Sequence, residues 1–132
     1  LEAAARPRVH VFLATSAIHL EHKLKIRPAQ ALRQAADAVR TARAACWDVE
    51  FSAEDASRTE YPFLREVAQA VHEAGASVFN VPDTVGYALP DELGAVFGRL
   101  RHDVPGLALS ALAARLVLQG LTSDKVTRMV IK

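Results

Sequence analysis

"DVEFSAEDASRTE", residues 48–60, decides how this chain is read. Val49 and Phe51 alternate with Glu50 and Ser52, the period-2 pattern of a strand with one apolar and one polar side. Directly after it come Glu54, Asp55, Ser57, Arg58, Thr59 and Glu60. A strand that runs straight into a charged turn carries its polar groups at its C-terminal end. Asp55, Ser57, Arg58 and Thr59 read as loop and cap residues, with Thr59 or Ser57 capping the next helix and Glu60 in its first turn.

The same unit recurs on both sides. Upstream, Arg8 to Thr15, "RVHVFLAT", reads as a strand that places Val9, Val11 and Leu13 on one face and Arg8, His10 and Phe12 on the other. Pro28 then opens a helix marked by Leu32, Ala35, Ala36, Val39, Ala42, Arg43 and Cys46. Downstream of the quoted stretch, Phe63, Leu64, Val67, Ala70, Val71 and Ala74 mark a helix that Gly75 stops. Ser77 to Val81, "SVFNV", is a third strand, with Asn80, Pro82 and Thr84 in phase on its polar side. Pro90, Asp91 and Glu92 open a third helix, which Pro105-Gly106 ends. Leu107 to Leu121 reads as a fourth helix, and Val126 to Ile131 as a strand or a frayed end. The order is βα, βα, βα and then a helical tail, the grammar of an α/β fold of consecutive parallel βα units.

Strands buried on both faces by helices are nearly continuous Val, Ile and Leu. These three each keep a polar side. That side needs a place where polar groups are satisfied, and a barrel interior that opens to a site at the C-terminal strand ends provides one.

Composition narrows the function classes. Apolar residues make up 51% and charged residues 23% of 132 residues, enough for one domain with a core and against disorder. A net charge of +1 gives no field to gather nucleic acid or an anionic membrane, and no apolar run reaches the ~18 residues of a membrane span. Cys46 is the one cysteine and reads as a small buried hydrophobe, so nothing points to an oxidising compartment and a cytoplasmic protein is expected. His22 to Arg27, "HKLKIR", reads as a solvated loop or helix start. His19, His22, His72 and His102 read as surface histidines, so no metal ligands are assigned.

"RVHVFLATSAIHLEHKLKI", "DVEFSAEDASRTE" and "NVPDTVGYALPDEL" together resemble the 2-isopropylmalate synthase family, metal-dependent acyl-CoA Claisen condensing enzymes on a TIM barrel. The resemblance runs from about Arg6 to Gly106. It implies a partial TIM-barrel catalytic domain over residues 1–106, followed by a divergent, mostly helical tail over 107–132. It implies an acyltransferase of leucine biosynthesis that joins acetyl-CoA to a 2-oxo acid, 3-methyl-2-oxobutanoate, with Mg or Mn as the divalent cofactor and a homo-oligomeric assembly. Homocitrate and citramalate synthases are relatives of the same type, and a non-catalytic self-associating remnant is the reading from another class. The resemblance assigns His10, Ser52, Pro82 and Thr84 to the 2-oxo-acid pocket and gives Glu54 a catalytic place orienting a metal-bound water or the substrate. No Arg-Asp-Gly-Glu-Gln motif occurs, and no His-x-His follows Pro105-Gly106. A full barrel takes about 250 residues. The chain also opens at Leu1 rather than Met. It is therefore expected to be an excised or incomplete segment without synthase activity, from which the family's metal-ligand motifs are absent.

Overall fold

A computed structural model describes residues 5–86, 88–113 and 129–131, with side chains described through residue 111. Strand β1 spans Val9–Ala14, β2 Val49–Glu54 and β3 Val78–Asp83. Helices α1 (Pro28–Ala45), α2 (Tyr61–Glu73) and α3 (Pro90–Asp103) follow them in turn. Two further strands, β4 (Ala108–Ala113) and β5 (Met129–Ile131), follow. The sheet order is β1-β2-β3-β4-β5; the first four strands are parallel and β5 is antiparallel to β4. Parallel βα units in sequential strand order are the repeat from which a (β/α)8 barrel is built, and this chain supplies part of such a barrel.

Each strand buries one parity against the helices. Val49, Phe51, Ala53, Phe79, Val81 and Leu109 join Val39 of α1, Leu64 and Val67 of α2, and Phe97 and Leu100 of α3 in one apolar cluster. The Phe51 and Phe79 rings stack with centroids 6.1 Å apart and an interplanar angle of 10°. On α1, Ala31, Ala35, Ala36, Val39 and Ala42 are buried, so the small side chains let this helix lie close to the sheet. The remaining parity, Glu50, Ser52, Asn80 and Ser110 among others, forms the opposite face, as the alternation predicts.

Local signals explain most boundaries. Proline occupies the first turn of all three helices, where its missing N–H costs nothing. The Glu92 carboxylate accepts from the Leu89 N–H at 2.9 Å and closes the start of α3. Gly75 (φ +105°) and Gly106 (φ +89°) turn the chain out of α2 and α3 in a conformation other residues resist. Pro82 falls on β3 after its described pairing with β2 ends at Ser52↔Asn80, while pairing with β4 continues to Asp83↔Ala113. A proline fits where one ladder has ended.

Two expectations are corrected. The helix expected from Leu107 opens as β4, because Leu109 and Ala111 face the core while Ser110 faces the polar side. Leu and Ala favour a helix intrinsically, but pairing with β3 across the whole of β4 overrides that preference. The rest of that expected helix, 114–121, lies outside the described residues. The cap of α2 is also reassigned. Glu60 is the N-cap and makes no side-chain capping bond, and the Thr59 hydroxyl does not cap the helix because it bonds to the Asp55 carbonyl and to Thr15.

Candidate functional site

The polar sheet face holds a continuous row of hydrogen-bonded side chains across four strands. His10 Nε2 on β1 lies 2.6 Å from Ser52 Oγ on β2. Asn80 Nδ2 on β3 donates to the same Ser52 Oγ at 2.8 Å. Ser110 Oγ on β4 lies 3.1 Å from Asn80 Oδ1 and 3.1 Å from Glu50 Oε1. Strand register produces this alignment: Ser52 pairs with Asn80, and Asn80 with Ser110. Ser52, Asn80, Ser110 and Glu50 are buried, whereas His10 is exposed. The row therefore runs from an interior carboxylate to a ring that solutes can reach. Arg8 Nη1 lies 3.6 Å from Glu50 Oε2, and Arg8 Nε donates to Asp48 at 2.7 Å. Phe12, on the same face as His10, is 65% exposed and lies in register with Ser52.

A second cluster sits at the C-terminal end of β2. Lys23 Nζ donates to Glu54 Oε1 at 2.6 Å from the short π-helical turn at His19–Leu24. His19 Nδ1 lies 3.4 Å from Asp55 Oδ2 and 3.9 Å from Glu54 Oε1. Asp55 is fully buried, with φ +63°, and accepts two hydrogen bonds from Arg58 Nε at 2.8 and 3.0 Å. Burial pushes the Asp55 carboxyl up, but the Arg58 hydrogen bonds, the Ser16 hydroxyl and the charges of Arg58 and His19 outweigh it and hold it below its usual value. The Asp55 N–H donates to Thr84 Oγ1 at 3.1 Å, and Ser57 Oγ donates to Asp83 Oδ1 at 2.8 Å. These bonds tie the loop after β2 to the loop after β3.

The candidate residues thus divide. His10 and Ser52 meet directly. Glu54, two residues beyond Ser52 and in the same phase, stands about 7 Å further along the strand and is held by Lys23. Pro82 is buried on the polar parity of β3. Thr84 is exposed and does not join the row, since its hydroxyl receives the Asp55 N–H. Its in-phase position is lost because β3 ends at Asp83.

Several expectations for neighbouring residues change. His19 and His72 are partly buried rather than on the surface, while His22 and His102 are exposed. Asp55 and Arg58 form a buried-to-surface ion pair inside the turn, more than a capping role. Cys46 is buried, as its apolar context implies. Lys23 was legible only as part of a basic stretch, because its partner is 31 residues away. Ser110 was hidden by the helical reading of its segment; its alternation with Leu109 and Ala111 is the signal that locates it.

Among the described residues, no group of three or more His, Cys, Asp or Glu side chains is arranged to hold a metal ion. The described donor set therefore does not fit the divalent ion that the resemblance implies. Among the described residues no helix is long and apolar enough to cross a membrane. A groove on the helical layer, lined by Leu32, Arg65, Glu66, Glu73 and Asp103 among others, lies between α1, α2 and the end of α3, apart from the polar row.

Comparison with known proteins adds to this geometry. A protein from Clostridium kluyveri named 2-isopropylmalate synthase is 51% identical over 107 residues, which is 81% of this chain and 21% of that protein. Its namesake from Shouchella clausii is 49% identical over 86% of this chain and 22% of its own length. That from Dictyoglomus turgidum is 55% identical over 74% of this chain and 20% of its own length. The chain thus spans about a fifth of the length of the curated relatives it matches. Residues 1–113 match the HMGL-like family. That match takes in β1 to β4, the three helices between them and every member of the polar row, so the chain belongs to the HMGL-like family.

Proposed function

We propose that this chain forms the 2-oxo-acid-facing section of a 2-isopropylmalate synthase barrel, the acyltransferase that joins acetyl-CoA to 3-methyl-2-oxobutanoate. The observation that carries the reading is the His10–Ser52 contact at the exposed end of a buried polar row. A 2-oxo acid presents a carboxylate and a carbonyl oxygen, both acceptors. His10 and Ser52 lie on one face and are hydrogen-bonded to each other, and the pair carries the N–H and O–H chemistry that such a ligand requires. Phe12 and Pro82 supply apolar contact for a branched side chain. Lys23, held by Glu54, keeps a cation at the strand ends, where an anionic substrate gains from it. Thr84 acts indirectly, by fixing the loop that carries Asp55. Condensation requires an enolate of the acetyl group to attack a polarised carbonyl. The described residues bind and orient the oxo acid, and no step is assigned to a metal on them.

The test is a chimera. Residues 1–113 of this chain replace the matching segment of the Clostridium kluyveri relative, and thiol release from acetyl-CoA is followed with 3-methyl-2-oxobutanoate. The chimera is expected to turn over, whereas this chain alone is not. His10→Ala and Ser52→Ala in the chimera should raise KM for the oxo acid roughly 10- to 100-fold, from about 1.5–3 kcal/mol for a hydrogen bond to a charged group. An unchanged KM would refute the pocket assignment. Turnover confined to a different 2-oxo acid would move the chain to a homocitrate- or citramalate-type reaction.

A further inference from the structure

Lys23 and His19, four residues apart on the π-helical turn, both face the carboxylates at the end of β2. Lys23 Nζ donates to Glu54 Oε1 at 2.6 Å. His19 Nδ1 lies closer to Asp55 Oδ2, at 3.4 Å, than to Glu54 Oε1, at 3.9 Å. Each carboxylate thus has its own partners: Lys23 for Glu54, and Arg58 with His19 for Asp55. The Lys23–Glu54 contact involves no choice of proton position, because an ammonium only donates and an ionised carboxylate only accepts. Among the described residues, Glu54 Oε2 accepts no hydrogen bond. The turn that carries Lys23 is itself fixed. Leu20 is buried, and its carbonyl receives the N–H groups of both Lys25 and Ile26, with Lys25 in the left-handed region at φ +54°. Lys23 stays half-exposed, so water screens the ion pair and it adds little to stability. What the contact sets is the direction of the Glu54 carboxylate.

We infer that Lys23 is a positioning residue for Glu54: its ammonium takes Oε1 and leaves Oε2 as the oxygen that accepts an O–H from the substrate or from a water beside it. This rests on the synthase reading, in which Glu54 holds a catalytic place. Lys23 then serves the reaction in two ways. Its charge favours an anionic oxo acid, and its contact keeps Glu54 in one working orientation. Without the ammonium, nothing described holds Oε1 at hydrogen-bond distance, since His19 Nδ1 stands 3.9 Å away. A misplacement of about 1 Å at a reacting group costs up to roughly 100-fold in rate.

The contact is read in this chain and the role in the chimera. Lysine ammonium groups of the 15N-labelled full chain are observed by NMR at mildly acid pH, above the ordinary carboxyl range of about 4. Lys23 should show slowed hydrogen exchange, and Lys23→Met assigns its signal by loss. Glu54→Leu removes the acceptor and should abolish the slowing. No slowed Lys23 signal, or one indifferent to Glu54→Leu, overturns the inference. In the chimera, Lys23→Met keeps the stem of the side chain and removes the charge and the donor. It should lower kcat roughly 10- to 100-fold, while the melting temperature hardly moves. Loss of charge attraction alone would raise KM for the oxo acid and leave kcat unchanged, and that result overturns the inference. Glu54→Asp draws the carboxylate back by one methylene, out of reach of Lys23. Lys23→Met should therefore add little to Glu54→Asp, and losses that multiply independently overturn the inference. An unmodified chimera without turnover refutes the synthase reading, and the catalytic purpose of Lys23 with it. Turnover with an unchanged kcat in Lys23→Met refutes the positioning role alone.

Discussion

Phe51 is the residue through which core packing and site geometry meet. It lies between Glu50 and Ser52, is 0% exposed, and stacks on Phe79, the neighbour of Asn80. Replacing Phe51 by Ala removes a whole buried ring from a cluster whose backbone is pinned by strand pairing on both sides, so little collapse can refill the space. Truncations of this kind cost about 3–5 kcal/mol. Roughly 0.5–1.5 kcal/mol of that reflects the aromatic pair itself. Single domains are stable by only about 5–15 kcal/mol, so Phe51→Ala should remove a large fraction of the total. Urea unfolding followed by circular dichroism measures it, with an unchanged slope showing that the unfolding reaction is the same. A cycle of Phe51→Leu, Phe79→Leu and the double variant isolates the ring–ring term. A Phe51→Ala cost below about 1.5 kcal/mol, against the range for buried rings, would refute the pinned-core reasoning. A coupling of zero in the cycle would show that the stacking contributes nothing beyond burial.

Two further outcomes concern the turns. Because Asp55 is held below its usual carboxyl value in the folded chain, it contributes stability above its unfolded pKa of about 3.9, and that contribution is lost as pH falls through the lower folded value. Unfolding free energy followed from pH 6 down to about 2 should therefore fall more steeply for the natural chain than for Asp55→Asn, a residue that tolerates the left-handed backbone; parallel curves would refute it. Gly75→Ala should cost about 1–3 kcal/mol by thermal melting, because φ is +105°. Its new Cβ would also meet Arg43 Cγ at 3.0 Å, in the stem of a side chain whose guanidinium bonds to the Trp47 carbonyl, so crowding adds to the backbone strain. A neutral substitution would contradict this.

The fold was legible wherever a segment carries its own periodicity. Alternation in "RVHVFLAT", "DVEFS" and "SVFNV" identified the three strands and the correct sides of each, and two helix starts followed from Pro28 and Pro90, while the start of α2, read from Ser57 or Thr59, falls at Glu60. Fourth-strand residues 108–113 were not legible, because Leu and Ala in "LALSALA" satisfy a helical and a strand pattern equally well. Only a partner strand beside them decides between the two.

The same division holds for the site. Sequence by itself determined which residues of the first three strands share the polar face, since side-chain direction in a strand follows from parity alone. Tertiary structure decided which of them touch: Ser52 reaches His10 across 42 positions and Asn80 across 28, and Ser110 reaches Glu50 across 60. Those contacts depend on register between strands, which no local pattern encodes. Thr84 shows the converse: it is in phase with Asn80 in sequence, yet it leaves the row because β3 ends at Asp83 and its hydroxyl receives the Asp55 N–H from the neighbouring loop.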